Sequence, residues 1–271
     1  MKTKFKTTLL AVPFLFLISC SNFNEVQQSK VAWDATNYTM YNEFMQCTAG
    51  EEYSQEALDA MIDSWRDLGL SESLLGGWGY VSVSPEVSSF NNYWELSWAT
   101  KEEADAAWEE WVTNKDAIEW SERNSKILEC DGENRDGYDF IFPYDPYAFG
   151  ESPADGSFTA VFSPCKLNEG MGQDDLNQAT ISYNAWLDGI DQSQVSGFYA
   201  YGIYIPEDEN MEEDFWFGNF HENLETMNEG NELWEATGGD AKAALESVSS
   251  CGVPEISNGQ VFLDPSKPDF S

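Results

Sequence analysis

The chain has 271 residues, 49 of them acidic and 13 basic, which gives a formal charge of −36. Such a surface repels phosphates, so nucleic acids and anionic lipid headgroups are excluded as partners. Aromatic residues make up 15% of the chain and include eleven tryptophans, which excludes an intrinsically disordered acidic protein. The composition therefore predicts a folded protein with a heavily solvated acidic surface.

The first 19 residues have the features of a bacterial export signal. Three lysines precede an apolar run at 9–18, which is shorter than the roughly 20 residues needed to span a bilayer. The run ends in Leu17-Ile18-Ser19-Cys20, which resembles a lipoprotein lipobox with Cys20 as the lipidated first residue of the mature chain. The alternative is an ordinary signal peptide with an unmodified thiol at Cys20.

A lipidated Cys20 would be the contact of this protein with a membrane, because several acyl chains on one residue anchor stably. Ser21 follows the cysteine where an aspartate would signal retention in the inner membrane. By resemblance to Gram-negative lipoproteins, this predicts the periplasmic side of the outer membrane. The segment 20–37 is polar and is predicted to be a flexible tether.

The next segment, 38–142, is predicted to contain four strands and two helices. Strand composition occurs at 41–48, 78–84, 92–98 and 138–142. Ser54 opens the first helix and Gly69 ends it, while Thr100 caps the second. One apolar face of the first helix is formed by Ala57, Met61, Trp65 and Leu68.

A linker rich in proline and glycine is predicted at 143–156. It leads to a second segment, 157–265, which has the same order of elements. Residues 266–271 form a tail. Its strands are predicted at 158–162, 198–205, 215–220 and 261–263, and its helices at 174–188 and 224–249. Gly230 and the Gly238-Gly239 pair are expected to break or kink the second of these helices.

Rare residues recur at nearly constant spacing, which identifies the two segments as a duplication. At an offset of 121 or 122, the pairs are Trp65 and Trp186, Pro85 and Pro206, Trp94 and Trp216, Cys130 and Cys251, and Pro143 and Pro265. A period this long indicates a duplicated domain, since solenoid units are roughly 20–50 residues long.

Four cysteines remain when Cys20 is set aside, and they support the duplication independently. Cys47 and Cys130 are 83 residues apart, and Cys165 and Cys251 are 86 apart. The matched separations predict one disulfide within each repeat. A metal site is not expected, because no two cysteines are close in sequence and the chain has one histidine. The calcium-like segment 131–137 fails because Arg135 stands where an oxygen ligand is required.

The element order β-α-β-β-α-β is the ferredoxin-like pattern, which makes the fold class α+β. Its first and fourth strands are antiparallel neighbours, so the end of one lies beside the start of the other. Each predicted disulfide joins these two places. The fold and the pairing therefore predict each other.

On this topology, tandem duplication and strand character, residues 38–265 resemble the dimeric α/β-barrel superfamily, which includes antibiotic-biosynthesis-type monooxygenases. The resemblance implies that two ferredoxin-like units pack sheet against sheet with their helices outside. Because both units lie in one chain, it implies a monomeric pseudo-dimer. Both faces of each strand would then be covered, in agreement with the continuous apolar runs of the strands.

A site is expected where the two copies diverge. His221, the only histidine, matches Ala99 at an offset of 122. A predominantly aromatic pocket with one titratable group is typical of a small-ligand site. The strand period of two predicts that His221 shares this pocket with Phe215, Phe217 and Asn219 on its own strand and with Tyr199 and Tyr201 on the preceding one.

Two functions remain open. The first is a non-enzymatic, membrane-anchored lipoprotein whose barrel binds a small apolar ligand or a protein partner. The second, implied by the resemblance, is a cofactor-independent monooxygenase-like enzyme with His221 and Asn219 as candidate catalytic residues. The resemblance also allows haem ligation by His221, although no cofactor is expected, and a strand-end histidine without a catalytic role is the plainest alternative. An open barrel interior around His221 and Asn219 would favour the enzyme, whereas an interior filled with tryptophan would exclude an enzyme site there.

Overall fold

The computed structural model describes residues 39–69, 73–83, 92–191 and 195–264. The predicted signal peptide, Cys20, the tether, Pro85 and the tail lie outside these ranges. Across the described ranges, no helix combines the length and apolar character needed to cross a bilayer.

The first repeat has the predicted elements, with its second helix divided in two. They are β1 (Met40–Ala49), α1 (Gln55–Arg66), β2 (Leu74–Ser82), β3 (Asn92–Trp98), α2 (Lys101–Trp111), α3 (Lys115–Asn124), β4 (Leu128–Cys130) and β5 (Asp136–Ile141). Ser54 and Thr100 cap α1 and α2 as predicted, each accepting a backbone N–H three residues ahead. Asn114 caps α3 in the same way, and this cap separates α3 from α2.

The second repeat follows the same order. Its elements are β6 (Ser157–Leu167), α4 (Gln173–Asp188), β7 (Tyr199–Pro206), β8 (Phe215–His221), α5 (Leu224–Thr237), α6 (Gly239–Val248), β9 (Ser249–Cys251) and β10 (Glu255–Leu263). The predicted break occurs at Gly238, which lies between α5 and α6. The break predicted at Gly230 is wrong, because α5 continues through this residue and its helical hydrogen bonds outweigh the weak helix propensity of one glycine. Beyond Gly238, β10 is six residues longer at its start than the predicted strand.

Eight antiparallel strands close into a barrel. Each repeat contributes one four-stranded sheet, β2-β3-β1-β5 from the first and β7-β8-β6-β10 from the second. Two pairings join the sheets, β5 with β7 and β10 with β2. This confirms the α+β class and the pseudo-dimeric barrel of two ferredoxin-like repeats, and it adds that the sheets are hydrogen-bonded along both edges.

The two disulfides connect the predicted partners. Cys47 lies opposite Cys130 where β1 pairs with β4, and Cys165 lies opposite Cys251 where β6 pairs with β9. Each bridge therefore joins the end of the first strand of a repeat to the short strand that precedes its last strand. The topological argument from the sequence is confirmed.

The strand register corrects the sequence alignment of the repeats. Trp98 pairs with Tyr41, six residues before Cys47, and His221 pairs with Thr159, six residues before Cys165. The structural counterpart of His221 is therefore Trp98 and not Ala99.

The correction extends along the strand. When strand partners are again counted back from the disulfide cysteine, Trp216 corresponds to Tyr93, whereas Trp94 corresponds to Phe217. The constant offset was wrong here because the connections of the two repeats differ in length, so the spacing between equivalent residues changes from strand to strand.

Aromatic side chains fill the barrel interior. Phe44 lies at its centre, with its ring centroid 5.5 Å from that of Tyr204 and 5.9 Å from that of Phe162. Tyr80 contacts Phe162 across the two sheets, and Phe220 packs on Phe162 within the second sheet. The interior is thus a packed core that connects the repeats.

Candidate functional site

The predicted pocket residues lie on the helix-facing side of the second sheet, not in the barrel interior. Along β8, Trp216 and Phe220 belong to the interior cluster, whereas Phe215 and Phe217 pack beneath the helices. Because side chains alternate along a strand, Asn219 and His221 share the helix-facing side with Phe215 and Phe217. The period of two was predicted correctly, but the side of the sheet was not.

His221 is buried at the end of β8, with 7% of its surface exposed. Its ring centroid is 5.0 Å from that of Tyr199 on β7. Helix α5 approaches the ring at Gly230, where an added Cβ would be in ordinary van der Waals contact, 3.6 Å from the imidazole Cε1. Burial lowers the pKa of His221 from 6.5 to about 4, so the imidazole is neutral at physiological pH.

The imidazole of His221 has no hydrogen-bond partner among the residues that the structure describes. A neutral imidazole carries one N–H donor and one nitrogen acceptor. Both are therefore available to a ligand at this position.

A chain of hydroxyl groups leads to the neighbouring Asn219. The Tyr199 hydroxyl donates to Asn219 Oδ1 at 2.8 Å. Tyr183 of α4 lies 2.6 Å from the Tyr199 oxygen and donates to it, since the single hydroxyl proton of Tyr199 is already used. With its oxygen occupied, Asn219 presents its amide N–H groups to the cavity.

These residues line a cavity of about 270 Å³ between the second sheet and helices α4 and α5. Five of the six predicted pocket residues reach it, namely Tyr199, Phe215, Phe217, Asn219 and His221. Tyr201 does not. It is 1% exposed, stacks on Phe217 at 5.1 Å, and donates to Asn184 Oδ1 at 2.5 Å behind the cavity wall.

The opposite wall comes from helices and was not predicted. Trp186 of α4 and Trp234 of α5 meet edge to face, with 4.7 Å between their ring centroids. Tyr183 lies within 5.4 Å of Trp186 and 5.2 Å of Trp234. The three-residue spacing of Tyr183 and Trp186 places them on one helix face, but that pattern also describes an ordinary core face.

The cavity does not fit a haem group. A porphyrin is larger than this enclosure, which lies just below the range of about 300–1,000 Å³ typical of small-ligand pockets. In the part of the chain that the structure describes, no group of three acidic, cysteine or histidine side chains is placed to hold a metal ion.

The closed eight-stranded sheet with external helices defines this chain as a dimeric α/β barrel folded from one polypeptide. No protein-family model matches its sequence, and no curated protein does. Solved structures do match in fold. One is a candidate monooxygenase from Lactobacillus acidophilus NCFM, with a TM-score of 0.50, 10% identity, and coverage of 83% of this chain and 95% of the other.

Two further solved structures are similar with lower scores. An anthrone oxidase-like protein has a TM-score of 0.49 and 13% identity, and the match covers 84% of this chain and 92% of the other. Chlorite dismutase from Candidatus Nitrospira defluvii has a TM-score of 0.47 and 11% identity over 83% and 93%. At these identities the likeness concerns the fold alone.

Proposed function

We propose that this protein binds a compact aromatic molecule bearing a hydroxyl group in the cavity of the second repeat. The carrying observation is the neutral imidazole of His221, which has no hydrogen-bond partner among the described residues, beside Asn219 in a cavity lined largely by aromatic and aliphatic side chains. The ligand hydroxyl donates to the imidazole nitrogen and accepts from the Asn219 amide. Its ring lies against Phe217 and Trp234.

Selectivity for the hydroxyl follows from burial. A buried polar group left without a partner costs about 1–3 kcal/mol. A ligand that lacks the hydroxyl leaves both His221 and Asn219 unsatisfied, so it binds more weakly than its apolar surface alone would indicate.

Calorimetric titration with 2-naphthol, naphthalene and 2-methoxynaphthalene tests this proposal. We expect 2-naphthol to bind at least about tenfold more tightly than the other two, from the cost of unsatisfied groups. His221→Phe should abolish this preference while keeping the affinity for naphthalene, which serves as the control for an intact cavity. Equal affinity for all three ligands in the unaltered protein would contradict the proposal.

A second candidate function is oxygenase-like turnover in the same cavity. The observation that favours it is the buried, neutral imidazole of His221 in the wall of the cavity, and the fold shared with a candidate monooxygenase supports it. On anthranol, the hydroxylated tautomer of anthrone, His221 would take the hydroxyl proton. Molecular oxygen would add to the resulting anion at the ring carbon para to the oxygen, and His221 would return the proton to the peroxide. Loss of water from this hydroperoxide gives anthraquinone, so anthrone and oxygen yield anthraquinone and water. A pKa of about 4 makes His221 a weak base, so turnover requires that ligand binding raises this pKa.

Oxygen uptake distinguishes the two functions. With anthrone as the probe, an enzyme consumes oxygen at a rate that falls at least about a hundredfold in His221→Phe, as expected on loss of a general base. Binding of both anthrone and 2-naphthol with no oxygen uptake from anthrone supports the binding function and contradicts the enzyme.

For localisation, we propose that the chain is held at the periplasmic face of the outer membrane by a lipid on Cys20. The lipobox sequence and the polar segment before β1 support this. Cys20→Ala should release the protein from the membrane fraction, and Ser21→Ala, as the control, should leave it there. Membrane association that persists in Cys20→Ala would contradict the proposal.

A further inference from the structure

A second helix-covered cavity lies in the first repeat, at the place equivalent to the proposed ligand site. Its volume is about 640 Å³, compared with about 270 Å³ in the second repeat. It lies between the helix-facing side of β1–β3 and helices α1–α3. Six of the eleven tryptophans line it, namely Trp65, Trp94, Trp98, Trp108, Trp111 and Trp120.

Hydrogen bonds fix three of these indole rings by their N–H edges. Trp98 and Trp108 both donate to Glu43 Oε2, at 3.1 and 2.6 Å. Trp120 donates to the Ser64 hydroxyl at 2.9 Å. The N–H edges of these rings are therefore already bonded to the framework. Trp98 and Trp120 are 4% and 6% exposed, whereas Trp108 and Trp111 are half-buried and offer more of their ring surface to a ligand.

The buried charges at this cavity neutralise each other. Arg135 Nε lies 2.6 Å from Glu43 Oε1, and Glu43 is only 1% exposed. The same guanidinium lies 4.5 Å from the ring centroid of Trp108. This wall therefore already accommodates one cation against tryptophan, and Glu43 has no unpaired charge to offer a ligand.

The rim of the cavity, by contrast, is acidic. Four exposed carboxylates line it, at Glu110, Glu122, Glu129 and Glu133. None of the four forms an ion pair with another residue that the structure describes. The only basic residue among the lining residues is Arg135, which is paired with Glu43. The entrance therefore has a negative potential that attracts cations.

We propose that this cavity binds an organic cation with apolar substituents, of the aromatic quaternary ammonium class. Tryptophan faces attract such a cation through the ring quadrupole, and tryptophan is the most effective side chain for this interaction. The rim carboxylates supply long-range attraction. The second repeat carries His221 where the first has Trp98, so the two cavities select different ligands.

Two isosteric ligands isolate the role of the charge. Benzyltrimethylammonium and neopentylbenzene have the same shape and differ in one positive charge. Titration of the full chain, followed by tryptophan fluorescence, should show at least about tenfold tighter binding of the cation. Its affinity should fall as ionic strength rises. Equal or tighter binding of neopentylbenzene, or no measurable binding of the cation, would overturn the proposal.

Variants locate the site. Trp111→Leu should weaken binding of the cation about tenfold. Its matched control is Trp234→Leu, which alters the other cavity and should leave this binding unchanged. Loss of binding in Trp234→Leu but not in Trp111→Leu would place the cation in the second repeat and refute the assignment.

A charge-neutralised rim gives an independent test. Replacement of Glu110, Glu129 and Glu133 by glutamine should also weaken binding about tenfold. The control carries three glutamines at exposed acids away from the cavity, Glu56, Glu102 and Glu119, and should bind normally. Equal affinities of the two triple variants would show that net charge, and not the rim, attracts the cation. Far-ultraviolet circular dichroism verifies that both variants are folded.

Discussion

Tyr204 of the second repeat donates a 3.0 Å hydrogen bond to Glu95 of the first. Tyr80, the counterpart of Tyr204 by strand register, donates to the other carboxylate oxygen at 2.5 Å. Asn42 adds a third donor, 2.5 Å from Oε1. Glu95 is 1% exposed in the barrel interior. The two repeats are therefore joined by a buried polar network as well as by their aromatic core.

Glu95 should make the stability of the protein depend on pH. Burial raises its pKa from 4.5 to about 7, so between these values the folded state holds a proton that the unfolded state has lost. The free energy of unfolding contributed by this group therefore falls as pH rises from 4.5 to 7, by about 3 kcal/mol. The Glu95→Gln variant should lack this dependence.

The measurement is the difference in unfolding free energy between Glu95→Gln and the unaltered protein from pH 4 to 8, by urea denaturation. The contributions of other titrating groups cancel in this difference. A constant difference across the range would contradict the raised pKa of Glu95.

Removal of the Tyr204 hydroxyl should destabilise the protein when Glu95 is ionised. At pH 8 we expect Tyr204→Phe to cost about 1–3 kcal/mol, because a buried carboxylate loses a donor. The loss should be smaller at pH 5, where the carboxyl is protonated. Tyr53→Phe, at a tyrosine that is 39% exposed, is the control and should change stability by less than about 0.5 kcal/mol. A loss no larger than that of the control at pH 8 would show that the Tyr204 contact is unimportant.

His221 should titrate well below its ordinary pKa of 6.5. Because it is the only histidine, one imidazole Hε1 resonance reports it directly in a proton NMR titration. We expect a midpoint near pH 4, caused by burial. Between pH 4 and pH 6.5 the unfolded state therefore binds a proton that the folded state does not. The contribution of His221 to the free energy of unfolding is complete above pH 6.5 and is lost as the pH falls towards 4. A midpoint near 6.5 would indicate a solvated imidazole.

An isolated first repeat should not remain a folded monomer. A fragment of residues 38–150 would leave β2 and β5 without the partners they have in the closed barrel. It would also expose the interior aromatic face around Phe44 and Tyr80, an apolar patch larger than the few hundred Å² usual for a monomer. Sedimentation should show dimers or aggregates, whereas residues 38–265 should sediment as a monomer. A monomeric fragment with native near-ultraviolet circular dichroism would contradict the packed barrel.

The sequence was sufficient for the fold because several independent patterns agree. The helix caps at Ser54 and Thr100, the break at Gly238 and the two cysteine pairs all follow local rules that the tertiary structure does not override. The pairing of β5 with β7 and of β10 with β2 was not predicted. Those pairings join residues far apart in sequence, and both predicted disulfides lie within a repeat, so they give no information about contacts between the repeats.

The site was harder to predict than the fold. The alternation of side chains along a strand correctly predicted that His221 lies on the same side as Asn219 and Phe217. Both sides of these strands are apolar, however, so the sequence pattern does not show which side faces the helices. The first-repeat cavity gave no distinct signal either. Its tryptophans have the spacing expected of an ordinary core, and only the structure shows that they surround an open space.

Gly218 is the counterpart of Glu95 in the second repeat, by the register of β3 and β8. A Cβ at Gly218 would lie 2.9 Å from the ring of Tyr204, the same ring whose hydroxyl donates to Glu95. In a barrel assembled from two identical chains, every residue occurs twice, so a glutamate here would have a second carboxylate near the first. Two such groups in a dry interior would repel, and one would have to remain protonated. Covalent linkage of the repeats removes that constraint, since a single gene can encode an acid on one side of the pseudo-twofold axis and no side chain on the other.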